Sequence, residues 1–125
     1  MNYDNLFWLY MVNAVLLICH EIDSAYWKEW ELFKIPGGIT TFLILHFPIL
    51  FLILYGLILV FTRTFGGLVI SLILGGGGLF ALLIHTYFIK QGHEEFRKSI
   101  SLFILISMGI VSIFQILLTI FLMLT

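Results

Sequence analysis

The chain has 125 residues, of which 62% are hydrophobic and 10% charged, and its net charge is −1. A water-soluble domain needs more polar surface, so the composition is that of one integral membrane domain, residues 1–125. The near-neutral balance offers no basic surface to nucleic acid, and a single cysteine, Cys19, excludes an internal disulfide and a CxxC redox or zinc motif.

Residues 1–5 carry Asp4 and no Lys or Arg, and no small-x-small site precedes His20. The first apolar segment is therefore expected to be a retained helix rather than a cleaved signal. It begins near Leu6. A span needs about twenty residues, which carries it to Ala25 and draws His20, Glu21 and Asp23 to the membrane interface. Tyr26, Trp27 and Trp30 follow as an interfacial aromatic belt would. The alternative is a short helix ending at Cys19 with a polar loop behind it; the belt favours the longer helix. The stretch from Trp27 to Glu31 reads as an amphipathic segment lying on the interface.

Pro36-Gly37-Gly38 turns the chain into a second span at residues 38–61, and Arg63-Thr64-Phe65-Gly66-Gly67 turns it into a third at 65–89. Gly67, Ser71 and Gly75 recur every four residues on that third span. Such a small-residue stripe admits another helix closely, from the same bundle or from a second copy in a homo-oligomer. The run Gly75–Gly78 weakens the same helix and reads either as a hinge or as a close-packed crossing. A fourth span covers residues 98–124, where Ser112 and Gln115 share a face suited to interhelical hydrogen bonds. Short connections make neighbours antiparallel, so the expected fold is all-α: an integral membrane, up-down four-helix bundle.

Lys28 and Lys34 lie in the first loop, Lys90, Arg97 and Lys98 in or beside the third, and only Arg63 in the second. The positive-inside rule then places loops 1 and 3 in the cytoplasm and both termini outside, for a multi-pass protein of the inner (cytoplasmic) membrane.

All four histidines fall toward the loop 1 and loop 3 end. His20 is at the loop 1 end of the first span. His46 is roughly 12 Å below that surface and His85 roughly 7 Å below it, at about 1.5 Å of rise per residue. His93 lies in loop 3. Ionisable groups inside a membrane are costly and mark working sites, and imidazole with carboxylate is a common transition-metal donor set. His20, His46, His85 and His93 are thus the expected metal ligands, with His46 and His85 foremost. Glu21 and Asp23 are the expected catalytic carboxylates. His20 and Asp23, three residues apart, share a helix face, and Asn13 lies on the same stripe. The bland reading of each histidine is an interfacial polar group. The run from His93 to Lys98 reads equally as a solvated helix start with salt bridges four residues apart.

The run from His20 to Glu31, with Pro36-Gly37-Gly38 and His46 behind it, resembles a family of small bacterial four-helix membrane proteins of unknown function. It also resembles, more distantly, the HXXEE-domain proteins, which carry a His and two acids at the end of the first helix; here Asp23-Ser24 stands where Glu-Glu would be. The resemblance covers about the first half of the chain and implies a bacterial source and a four-helix membrane fold, but no reaction. A looser likeness is to membrane zinc hydrolases of the ceramidase and adiponectin-receptor type, which it matches in ingredients: His46, His85, one of His20 or His93, Asp23 and Ser24. Those bundles have seven helices, and this chain has no HxxxH pair.

Three functions compete at this level. The first is a zinc-dependent hydrolase of a lipid-like, amphiphilic small molecule, with Glu21 or Asp23 as general base. The second is a haem-binding electron-transfer module with His46 and His85 as axial ligands. The third is a small oligomeric transporter, channel or accessory subunit in which Asn13, His20 and Asp23 line a path. A structural protein with an incidental histidine cluster stands behind all three.

Overall fold

A computed structural model describes residues 2–125. The helices are α1 (Tyr3–Tyr26), α2 (Glu29–Leu32), α3 (Gly38–Phe61), α4 (Phe65–Lys90) and α5 (Ser99–Leu124). No strand occurs among the described residues. All but α2 are long and apolar enough to cross a membrane. The first span runs on without a break through His20 and Asp23 to Tyr26, the longer of the two expected helices.

Each long helix packs on the next, and α5 closes the ring on α1; α1 and α4 also touch across the centre, whereas α3 and α5 do not meet. The buried face of α1 is Leu6, Tyr10, Asn13, Ala14, Leu17, His20 and Ser24. That is one stripe at helical spacing, so the periodicity that packs the bundle also carries His20 and Ser24 inside. On α4 the same logic runs through Ser71, Leu74, Gly78 and Ala81 to His85. The outward faces are apolar too: Phe47, Phe51, Ile58 and Phe61 on α3 are all exposed. A helix that is apolar all round is at home in hydrocarbon.

Glycine sets the closest approaches. A Cβ on Gly67 would lie 2.6 Å from the backbone of Leu59, one on Gly75 2.6 Å from Ile116, and one on Gly78 2.1 Å from the Ser112 hydroxyl. The glycine run is thus a close-packed crossing of α4 with α5. The stripe expected to admit another helix closely does so within the chain, to α3 at Gly67 and to α5 at Ser71 and Gly75. Gly76 and Gly77 differ: a Cβ on either meets nothing within 4 Å.

A polar network ties α1, α4 and α5 at mid-bundle. Asn13 Nδ2 donates to Ser112 Oγ at 3.0 Å and to Gln115 Oε1 at 2.9 Å, and Gln115 Nε2 donates to the Ser71 carbonyl at 3.0 Å. Ser71 and Thr119 hydroxyls are 2.8 Å apart. Ser112 and Gln115 are therefore the interhelical hydrogen bonders their spacing suggested. Asn13 is held in this network through Nδ2, while its buried Oδ1 has no partner. At the opposite end of the bundle from the histidines, Arg63 reaches Asp4 at 3.2 Å, tying the start of α1 to the α3–α4 turn.

Candidate metal centre

Lys28 takes a left-handed backbone, φ 53°, between α1 and α2. The chain reverses there, and α2 folds back against α1 and α3. Glu29, the first residue of α2, reaches His85 Nε2 with its Oε1 at 3.5 Å. His20, Glu29 and His85 each offer a ligand atom, and the three atoms all lie within 4.8 Å of one another. This trio can hold a metal ion. Zinc–ligand bonds are about 2 Å, so the side chains would draw in slightly around one.

The two imidazoles are 2% and 1% exposed, and Nδ1 of each has no hydrogen-bond partner. Buried polar atoms without partners are uncommon and call for an explanation. The Ser24 hydroxyl lies 3.5 Å from His20 Nε2. Burial pushes the Glu29 carboxyl up, but hydrogen bonds from His85 and Ser24 and the charge of His85 and His20 outweigh it and hold the group below the usual carboxylate range. An ionised carboxylate beside two imidazoles is a ligand set ready for a cation.

Phe96 roofs the trio. Its ring centroid is 4.0 Å from that of His85 and 5.7 Å from that of His20, and the residue is 1% exposed. It holds a positive φ of 71°, uncommon for a bulky side chain. Arg97 donates to the Ile89 carbonyl at 3.0 Å and pins this loop to the end of α4.

Beside the trio is a second pair. His46 Nδ1 donates to the Phe42 carbonyl at 2.7 Å, and its Nε2 meets Glu21 Oε2 at 2.5 Å. Both nitrogens of His46 are thus engaged within the chain. The pair and the trio line one cavity of about 330 Å³ between α1, α3 and α4.

The structure thus brings together His20 and His85 as expected and sets His46 and Glu21 next to them. It leaves out His93, which is exposed beside Glu95 at 3.6 Å. It also leaves out Asp23, whose Oδ1 accepts from Trp27 Nε1 at 3.1 Å and which does not line the cavity. Three residues along a helix put Asp23 on the Trp27 side of α1 while His20 points inward. Sequence reasoning missed Glu29, read as part of an interfacial segment. It also missed Phe96, since residues 91–98 form a loop rather than a helix start. A lone apolar residue amid His93–Lys98 was the available signal for Phe96.

Fold and site together define a four-span helical membrane bundle in which two buried histidines and a half-buried carboxylate meet at one end. The chain belongs to a family of unknown function, DUF6713, whose model matches residues 6–122. No curated protein and no solved structure matches it.

Proposed function

We propose that this protein is a membrane metalloprotein in which His20, Glu29 and His85 hold a zinc-type divalent ion and that the site hydrolyses a lipid-like ester or amide. The observation that carries the reading is the convergence of two buried imidazoles and the half-buried Glu29 carboxylate at the head of a cavity, with ligand atoms within 4.8 Å of one another. Two histidines and one glutamate are the donor set of catalytic zinc sites, which keep a fourth position open, and not of closed structural sites. Zinc held there would lower the pKa of a coordinated water toward about 7.

The chain's own residues supply the rest. Glu21 faces the same cavity and takes one proton from the attacking water. The water oxygen bonds to the carbonyl carbon, the bond from that carbon to the leaving oxygen or nitrogen breaks, and the proton passes to the leaving atom. His46, fixed through Nδ1 by the Phe42 carbonyl, orients Glu21 and shares that proton. Ser24, beside His20, supports the ligand from behind. The positive-inside rule, applied to the Lys and Arg of loops 1 and 3, supports a cytoplasmic position for this end.

The test is the metal content and absorption spectrum of protein purified in detergent without added metal or imidazole. Near-stoichiometric zinc that is lost in His20→Ala and His85→Ala supports the reading. Absence of metal after zinc is offered back overturns it, and a haem spectrum would replace it.

A further inference from the structure

The cavity has an aromatic head and an open side. At its head, Phe33 lines it, and Phe33 and Phe96 lie against His85, at 6.4 and 4.0 Å between ring centroids. Its outer wall is Ile49, Ile73 and Phe80, which are 46%, 51% and 61% exposed on the lipid-facing surfaces of α3 and α4. Those two helices are in backbone contact near their shared turn, at Gly67, and leave the cavity between them toward the other end. Ile73 is twelve residues before His85 on α4, roughly 18 Å along the axis. That depth reaches past the middle of a hydrocarbon core about 30 Å thick.

The lining chooses the occupant. All of it below the head is aliphatic or aromatic except Gly77, which lines the cavity and carries no side chain. About 330 Å³ sits at the lower end of small-molecule sites, room for one alkyl chain rather than two. No Lys or Arg lines the cavity, and the two carboxylates at its head offset the charge of one divalent ion, which favours a neutral carbonyl over a phosphate. We propose that the cavity takes a single-chain acyl amide or ester, admitted sideways from the bilayer between α3 and α4. Its carbonyl lies at His20, Glu29 and His85, its chain runs along Gly77 toward Ile73, and Gly77 sets the chain length accepted. The placement of the head rests on the metal reading; the placement of the chain does not.

The test uses purified wild type, Gly77→Leu and Gly76→Leu, with zinc measured on each. Gly76 is the control, since a Cβ there is equally unobstructed but the residue does not line the cavity. Binding of alkyl hydroxamates of rising chain length, whose head chelates zinc, is followed by native mass spectrometry, with fatty alcohols as chain-only probes. Wild-type affinity, referred to free probe in water, is expected to rise roughly fourfold per methylene and then level off. Gly77→Leu moves the levelling point to shorter chains with zinc unchanged, and Gly76→Leu leaves it alone. A levelling point unmoved by Gly77→Leu, or affinity that ignores chain length, overturns the proposal while intact zinc keeps the metal site. Zinc-free wild type that still binds fatty alcohols with the Gly77→Leu effect overturns the metal reading and supports the chain site.

Discussion

Glu29 carries the most at the scale of single residues. Its ionised carboxylate sits among His20, His85 and Ser24, and its folded pKa is lowered. A lowered carboxyl pKa contributes stability that is fully present above the unfolded value, about 4.3, and is lost as pH falls through the folded one. The thermal midpoint of metal-free wild type should exceed that of Glu29→Gln near pH 5–6, and the gap should close as pH falls below about 4. Detergent melts across pH check this. Removing the supporting Ser24 hydroxyl with Ser24→Ala should weaken zinc binding about tenfold. His85→Ala, which removes a ligand, should cost more, as read by competition with a chelator dye. His93→Ala should change nothing in the same assay, because its side chain lies outside the trio.

Helix α4 shows how one element serves packing and site at once. Its Gly67 meets Leu59 backbone, which cannot swing away, so Gly67→Ala should cost about 1–3 kcal/mol of stability. Gly76→Ala, with nothing within 4 Å of the new methyl, should be neutral or slightly stabilising, since glycine is the weaker helix former by about 1 kcal/mol. Paired unfolding curves of the two variants separate packing from propensity. The buried network on α5 answers to the same measurement. Gln115→Leu strips partners from Asn13 and Ser71, and membrane hydrogen bonds of this kind are worth about 0.6–1.7 kcal/mol each.

Over the whole molecule, loops 1 and 3 meet at one end and the Asp4–Arg63 pair marks the other. Loops 1 and 3 hold five of the six basic residues, so that end should face the cytoplasm. With Cys19 replaced by serine, a cysteine at Lys34 should react with an impermeant thiol reagent only after the membrane is opened, and one at Thr62 should react from outside. Reversed labelling would put the trio on the far side of the membrane without altering its chemistry.

The spans, their order and the end on which the histidines gather were legible along the chain, because hydropathy and loop charge are local properties. Depth followed from residue counting, which is why His20 and His85 were found. Rotation was not legible in the same way. Asp23 and His20 differ by three residues, yet one turns to Trp27 and the other to the core, since only the neighbouring helices decide which face is buried. The same reason assigns the small-residue stripe of α4 to α3 and α5 within the chain. Glu29 joined the trio through a chain reversal at Lys28, a left-handed backbone that a lysine adopts under the pull of tertiary packing. Composition determined a four-helix membrane bundle with imidazoles near one face; only the packed structure decided that two of them, with a carboxylate from the loop, can hold one ion.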